Sequence, residues 1–372
     1  MIFNMIKPDL ILDEYRSSIA QYLTHFLAQK KKSFAKISLD DDVFNTIKNF
    51  ALRGKMTRAH LLILTYQAFG KKVDKKTLKN WLLPLASAIE LIQAGLLIHD
   101  DIIDQDQQRR GQDSIWQYYT LQKQAADQHY GKSQAICLGN LCFFLANQLV
   151  NEGVVNWQAM NNSKKTAALD SVSIKIQELI NREISQVIMA EMLDVQLAAE
   201  DKVPSLQQIT EMNLYKTARY SFSLPFMLAA YVARQSQTSI EQVSKIGEKL
   251  GLIFQIQDDY LGIFGDEKIT GKPILSDVRE GKKTIFYYYL VKSKKLNAHD
   301  KKLLDRCFGA TSINKKDGVA MQAMFQVHAL NQVTSLLNQL KQEAIKEIEQ
   351  LENQDLQIFL TKLLNTLQHR QK

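Results

Sequence analysis

The sequence predicts an all-α protein, and three observations carry that reading. Proline and glycine are scarce, 5 and 15 among 372 residues, fewer than a turn-rich β protein of this length needs. Leu, Gln, Lys and Ala, all good helix formers, are abundant. Apolar residues recur at helical spacing over long stretches, and no alternation is long enough to mark a strand.

Taken in order, Leu10 to Lys30 reads as an amphipathic helix ending in the basic run Lys30-Lys31-Lys32. A second helix begins near Asp40 to Asp42, whose carboxylates suit an N-cap. Arg53-Gly54-Lys55-Met56-Thr57-Arg58 breaks the pattern, and a new helix follows to about Gly70. Lys76 to Asp104 is one long helical pattern with Pro84 early in it or at a kink. Residues 105–131 form a polar connection. Ser133 to Val150 is apolar enough for a central helix, Gly153 to Lys165 reads as a polar link, and Thr166 to Ala199 as another long helix. Ser205 to Ala233 is helical with a break at Pro225, and Ile240 to Phe264 is a further helix. Gly265 to Pro273 is a loop, Thr284 to Val291 resumes an apolar run, and the tail from about Gln322 reads as surface helix. With no repeat and no linker, the expectation is one all-α domain over residues 1–372.

The net charge of +8 fits a solvated basic surface or the attraction of polyanionic substrates. Nucleic acid is not expected, because the basic residues are scattered without a reading motif. Cys137, Cys142 and Cys307 have no framework or metal spacing and are expected to be free. Asp9, Asp13 and Glu14 interrupt the N-terminal stretch, and no window of about 18 uncharged apolar residues occurs. The expectation is a soluble, cytoplasmic protein without an integral membrane segment.

Two acidic clusters carry the chemistry. His99-Asp100-Asp101-Ile102-Ile103-Asp104, followed by Arg109-Arg110, ends the apolar run Leu91 to Ile98. Phe254-Gln255-Ile256-Gln257-Asp258-Asp259 sits in a second such run. Carboxylates in an apolar setting require a compensating cation. A hard divalent metal supplies one, since Mg²⁺ takes one or two carboxylates, retained waters and phosphate oxygens. Asp100 and Asp104 lie one turn apart on one helix face, as do Gln255 and Asp259. Gln93, Leu97, Asp100 and Asp104 fall at i, i+4, i+7 and i+11, a single stripe.

The ordered landmarks Gly54-Lys55-x-x-Arg58, Gln93, Asp100-Asp101-x-x-Asp104, Arg109-Arg110-Gly111, Lys216-Thr217-Ala218, Phe254-Gln255-x-x-Asp258-Asp259, Thr270-Gly271-Lys272-Pro273 and Glu280-Gly281-Lys282-Lys283-Thr284 resemble the trans-isoprenyl diphosphate synthases, the polyprenyl synthetase family. The resemblance implies a single bundle of long, mostly antiparallel helices around a central cavity, in a homodimer. It implies condensation of isopentenyl diphosphate with an allylic diphosphate. It further implies three Mg²⁺ ions, with Asp100, Asp104 and Asp258 as ligands and Asp101 and Asp259 orienting them. Arg109, Lys216, Lys272 and Lys282 would attend the allylic diphosphate. Lys55, Arg58 and Arg110, helped by Gln93, would hold isopentenyl diphosphate without metal, while Thr217 and Gln255 would place neutral oxygens near the developing cation. His99 is expected to point off the metal face, Lys283 to be a surface residue, Asp266 and Asp277 to be loop and cap residues, and Tyr287 to Tyr289 to belong to the core.

The chain departs from the family pattern at Arg53, where a second glycine is usual, at Met56, Ala59 and Asn140, and at Gly262, where the second cluster lacks its third aspartate. A geranylgeranyl (C20) product is expected, with farnesyl or longer products as alternatives. Gly95 blocks nothing, which argues against a ten-carbon stop, and the Gly262 variant leans toward the geranylgeranyl type, while Leu96 and Ile92, roughly 6 and 12 Å along the helix from Asp100, would narrow the path. A class I terpene cyclase and a non-catalytic partner subunit are the competing functions. The first has no need of Lys55, Arg58 and Arg110, and the second usually loses an acidic ligand or an arginine.

Overall fold

The computed structural model describes residues 14–39, 42–122, 127–161, 167–266 and 274–368, and the side chains of 167–171 are not described. Backbone packing groups the chain into two compact units, one of residues 1–178 with 228–235 and the other of 179–227 with 236–372.

The first unit contains α1 (Arg16–Ser33), α2 (Val43–Leu52), α3 (Thr57–Ala68), the short α4 (Lys75–Thr77), a π-helical segment π1 (Leu78–Leu82), α5 (Leu83–Ile103), α6 (Ile115–Leu121) and α7 (Gln128–Asn161). Asp42 starts α2 by accepting the Asn45 N–H at 3.1 Å, the N-cap expected from the sequence. The connection after α5 is more structured than its polarity suggested. It forms a hairpin, β1 (Gln108–Arg109) with β2 (Gln112–Asp113), before α6. Its two-residue turn is Arg110-Gly111, at φ 55° and 72°, the backbone that closes such hairpins.

The central element is α5. It is buried nearly all round, and it packs along α7. Lys75–Ile103 and Gln128–Asn161 are each long and apolar enough to cross a membrane by length and composition, but 83% of the apolar window of Lys75–Ile103 is buried inside the protein. Pro84 has no N–H for the Asn80 carbonyl four residues back. The chain meets this by widening into π1 just before the proline, where the Leu83 N–H reaches Leu78 O. The Asn80 carbonyl is then taken by the Asn156 side chain at 2.8 Å.

The expected polar link at Gly153 is instead part of α7, which runs on to Asn161. A Cβ on Gly153 would stand 2.8 Å from Leu85 Cγ and 3.0 Å from the Trp81 carbonyl, so this glycine permits a close approach and does not end the helix. Gly95 has the same role on α5. A Cβ there would lie 2.8 Å from Phe143 and 2.9 Å from the Gly139 carbonyl, so Gly95 is occupied by α7 packing.

The second unit contains the described C-terminal part of α8 (Ala167–Ala199), α9 (Leu206–Asn213), π2 (Leu214–Ser223), α11 (Gln237–Phe264), α12 (Ser276–Arg279), α13 (Ile285–Lys292), α14 (Ala298–Cys307), α15 (Lys315–His328), α16 (Leu330–Glu349) and α17 (Gln354–Gln368); α10 (Leu224–Val232) follows π2. The break expected at Pro225 is a second π-helical widening two residues before the proline, with the Leu224 N–H on Arg219 O. The tail is less superficial than its composition suggested. Leu356, Phe359, Leu360, Leu363 and Leu364 are buried at helical spacing, and α16 and α17 both pack on α11. Cys137, Cys142 and Cys307 are free thiols.

Replacing Asn156 by Ala should leave the Asn80 carbonyl without its partner and destabilise the protein by about 1 kcal/mol, more if the carbonyl stays dry. Thermal denaturation measures this. An unchanged midpoint would show that water takes over the carbonyl and that π1 does not depend on Asn156.

Candidate active site

In the first unit the predicted residues fall on the C-terminal half of α5, the hairpin that follows it and the loop before α3. Along α5, Gln93, Leu97, Asp100 and Asp104 are half-buried while most of the helix is fully buried, so the predicted stripe is a seam that solvent reaches. Asp101 points inward and is wholly buried. Its Oδ1 accepts from Arg109 Nε at 2.5 Å and also meets Arg109 Nη2, whereas its Oδ2 is buried without a hydrogen-bond partner. Burial pushes the Asp101 carboxyl up to about 7, against the pull of Arg109. Arg109 also meets Asp100 at 3.3 Å and Asp106 at 3.0 Å, so three acids surround one largely buried guanidinium. Trp116 Nε1 donates to the carbonyls of Asp101 at 2.9 Å and Asp106 at 2.8 Å, which fixes the end of α5. His99 turns away from the acids, as expected. Its Nε2 lies 3.2 Å from the Ile136 carbonyl, and its ring packs on Phe143 and Gly139.

The loop before α3 brings cations together. Met56 at φ 53° turns the chain into the helix and offers no side-chain cap. Gly54 gives the Arg110 guanidinium its seat, because a Cβ there would stand 2.8 Å from Arg110 Nη1 and displace it. Lys55 is exposed and Arg58 half-buried. Arg53 faces the charge of Asp113 on β2, and its Nη1 is buried without a hydrogen-bond partner. Beneath the loop lies Glu90, buried on α5, whose Oε1 accepts the Ala59 N–H at 3.0 Å. The sequence reading passed over Glu90, although it is the single charge in Leu83 to Ile98.

In the second unit, π2 carries Lys216 and Thr217. Lys216 Nζ lies 2.8 Å from Glu191 and 2.6 Å from Asp194, two acids of α8 that the sequence reading did not single out. Arg219, on the same segment, meets the fully buried Glu183 at 2.7 Å and also Glu248. Helix α11 presses directly on π2. A Cβ on Gly251 would stand 2.6 Å from Ala218 Cβ, and one on Gly247 would stand 2.7 Å from the Ser223 backbone.

One turn beyond Gly251, Gln255 Nε2 donates to Asp259 Oδ1 at 2.8 Å. Asp259 is buried, and burial, then the neighbouring Asp277, raises its carboxyl well above the usual range. Asp277 is therefore more than a cap residue. Its Oδ2 lies 3.5 Å from where a Cβ on Gly262 would sit, so it brings a carboxylate to the place where the sequence lacks one. Lys282 Nζ pairs with Glu280 at 2.8 Å. Lys283 is buried, contrary to the expectation of a surface residue. Its Nζ donates to the carbonyls of Leu197 at 2.7 Å, Lys202 at 3.2 Å and Glu200, placing a cation where the α8 dipole is negative. Tyr287 stacks on Phe308 and packs, with Tyr288 and Tyr289, against the core, as expected. Lys272 and its Thr270 to Pro273 motif lie outside the described residues.

Among the described residues, no three His, Cys, Asp or Glu side chains form a ready metal cage. The donors nonetheless suit Mg²⁺, a hard ion that takes one or two carboxylates and fills its octahedron with water and phosphate oxygens. The partnerless Asp101 Oδ2 beside Asp100 is an acceptor that a metal-bound water would satisfy.

The polyprenyl synthetase family model matches residues 43–327. The chain belongs to that family. It is accordingly a trans-prenyltransferase, a prenyl diphosphate synthase. It is 28% identical to the short chain isoprenyl diphosphate synthase of Methanocaldococcus jannaschii over 282 residues, 76% of this chain and 75% of that protein. To the geranylgeranyl diphosphate synthase of Sulfolobus acidocaldarius it is 29% identical over 304 residues, 81% and 82% of the two chains. The structure resembles geranylgeranyl pyrophosphate synthase from Corynebacterium glutamicum, crystallised with isoprenyl diphosphate and magnesium. The TM-score is 0.84 at 24% identity, covering 96% of this chain and 99% of that one. The likeness supports the all-α fold.

Proposed function

We propose that this prenyl diphosphate synthase condenses isopentenyl diphosphate with an allylic diphosphate to make geranylgeranyl diphosphate, in a Mg²⁺-dependent reaction. The observation that carries the reading is the pairing, within one unit, of an acidic seam on α5 with a cation-rich loop at Gly54 to Arg58 and Arg110. One group suits a metal-bound diphosphate and the other a diphosphate held by cations alone. A terpene cyclase has no use for the second.

In the proposed reaction the allylic C–O bond breaks, giving an allylic carbocation and pyrophosphate. The double bond of isopentenyl diphosphate attacks the cation, and loss of a proton to the released pyrophosphate leaves a chain five carbons longer. Asp100, Asp104 and Asp258 would hold Mg²⁺, which neutralises the leaving group's charge, with Asp101 and Asp259 orienting those ligands. Lys216 and Lys282, with Lys272, would contact the same diphosphate. Arg109 would act on it from among its three acids. Thr217 and Gln255 would offer oxygens to the cation without trapping it. Lys55, Arg58, Arg110 and Gln93 would bind isopentenyl diphosphate, the arginines by paired N–H donors.

The C20 assignment draws support from relatives named geranylgeranyl diphosphate synthase in Sulfolobus acidocaldarius and Saccharolobus solfataricus. Farnesyl and geranylfarnesyl synthases among the relatives keep C15 and C25 as alternatives. We also propose a homodimer, supported by apolar side chains left bare on long helices: Ile136, Phe144 (70% exposed) and Val155 on α7, and Met189 and Met192 on α8. Sedimentation of a monomer at micromolar concentration would overturn this.

Incubating the protein with Mg²⁺, labelled isopentenyl diphosphate and primers of increasing length separates the readings. Elongation, cyclic hydrocarbon and no product identify a synthase, a cyclase and a non-catalytic subunit respectively. Asp100→Ala, Asp104→Ala and Asp258→Ala should each lower turnover by about 100-fold or more, since each leaves diphosphate charge unmatched. A near-normal rate in Asp100→Ala removes the metal assignment. For chain length, Ile92→Ala with Leu96→Ala should lengthen the products if those residues form the floor. Gly95→Phe is a poor probe, because the ring would wedge α5 off Phe143 and Gly139. An unchanged product ladder in the double variant places the floor on another helix.

A further inference from the structure

We propose that Glu90 is a positioning residue of the isopentenyl diphosphate site, a buried carboxylate that caps α3 from a neighbouring helix and holds the Arg58 and Arg110 guanidiniums in place for the ligand. The inference rests on the substrate assignment above and deepens it.

Glu90 is the one charged residue between Leu83 and Ile98, and only 5% of it is exposed. An isolated carboxylate in such a setting is strongly destabilising unless donors and cations surround it. The donors come from α3. Glu90 Oε1 accepts the Ala59 N–H at 3.0 Å, and the Arg58 backbone N–H adds a second contribution. These are the third and second residues of a helix that starts without a cap of its own, since Met56 before it is left-handed and offers no side-chain acceptor. The first turn of a helix leaves its N–H groups unpaired and concentrates positive potential. Glu90 answers both from α5.

Burial raises the Glu90 carboxyl above its usual range, and Arg58, the Ala59 N–H and Arg110, in that order, oppose it. Seen from Arg110, Glu90 is the leading attractive charge, and Arg109 and Arg58 repel it. The Arg110 guanidinium is seated against Gly54, in the loop that leads to the helix Glu90 caps. Lys55, Arg58 and Arg110 carry three positive charges, and one carboxylate beneath them leaves a net of two for a diphosphate. Without Glu90 the repulsion between the two arginines is uncompensated, and the first turn of α3 loses its acceptor. Glu90 also repels the ligand. The contact it makes with α3, however, is a direct hydrogen bond. Orientation should therefore outweigh it, because bidentate phosphate recognition tolerates little displacement.

The 372-residue chain, its Glu90→Gln and Glu90→Ala variants, and Arg58→Ala as reference are titrated with isopentenyl diphosphate in chelator, and steady-state constants for both substrates are measured with Mg²⁺. Glu90→Ala should weaken metal-free binding and raise the KM for isopentenyl diphosphate by about tenfold or more, as loss of a charge-assisted hydrogen bond does. Glu90→Gln keeps an oxygen for the Ala59 N–H and should lose about threefold. The allylic KM and the kcat at saturating isopentenyl diphosphate should change less than about twofold in both variants. Binding within twofold of wild type in Glu90→Gln and Glu90→Ala, tighter binding in either, or a parallel rise in both KM values with a lowered melting temperature would each overturn the proposal. Should Glu90→Ala not fold, Glu90→Gln carries the test alone. If the wild type elongates no primer, the substrate assignment has failed. The same titrations with inorganic pyrophosphate then decide separately whether Glu90 conditions the anion site.

Discussion

The first unit is organised by the compensation of carboxylates on α5. That helix is buried almost all round, yet it carries Glu90, Asp100 and Asp101, with Asp104 as its C-cap. Each buried carboxylate obliges the surrounding chain to deliver donors or cations to a fixed point. Glu90 obliges α3 to start where its N–H groups meet Oε1. Asp101 obliges β1 to bring Arg109 inward, and Arg109 gathers Asp100 and Asp106 in turn. The short hairpin and the αL turn at Met56 are thereby placed by charge as well as by the apolar packing of Met56, Ala59, Ile115 and Trp116 around them.

In the second unit the corresponding constraint is closeness of backbone. Gly247 and Gly251 let α11 lie directly on π2, so the residues that follow them on α11, Gln255 and Asp259, are set by the same contact that sets Lys216 and Thr217. The π-helical widening has a local cause in Pro225, which supplies no N–H to the preceding turn. It also has a consequence. With more residues per turn, Lys216 and Arg219 fan out toward separate acids, Lys216 to Glu191 and Asp194, Arg219 to Glu183 and Glu248. Lys283 ties the segment after Gly281 to the end of α8 through main-chain carbonyls.

What the sequence makes legible is what periodicity and spacing encode. The helices bearing both acidic clusters, the loop at Gly54, the stripe from Gln93 to Asp104 and the outward turn of His99 were all readable. The family follows from the same ordered landmarks. What was not readable depends on tertiary partners. Gly153 reads as a helix breaker until Leu85 and Trp81 are seen against it, and Gly95 reads as open space until Phe143 fills it. Lys283 reads as one of two surface lysines because nothing local reveals the carbonyls of α8. Asp277 lies 15 residues after Gly262 in sequence and beside it in space. A lone charge inside an apolar helix was the available signal for Glu90, and burial cost alone was reason to ask what satisfied it.

The adjacent arginines show how little chain is needed to separate two recognition tasks. Arg109 and Arg110 are neighbours in sequence with the same side chain, yet Arg109 is enclosed by acids while Arg110 is seated against Gly54 and attracted by the charge of Glu90. The division is made by the backbone. Arg109 ends a strand, where side chains alternate between faces, and Arg110 enters the left-handed region that a two-residue hairpin turn requires. A non-glycine residue at positive φ is held there by its surroundings, and here the pairing of Arg109 with Gln112 on either side of the turn does so. Gly111, also at positive φ, completes the turn at no steric cost. Glycine in place of Arg110 would relieve the backbone but remove the cation, so the strain at φ 55° is the structural counterpart of keeping a guanidinium at that corner.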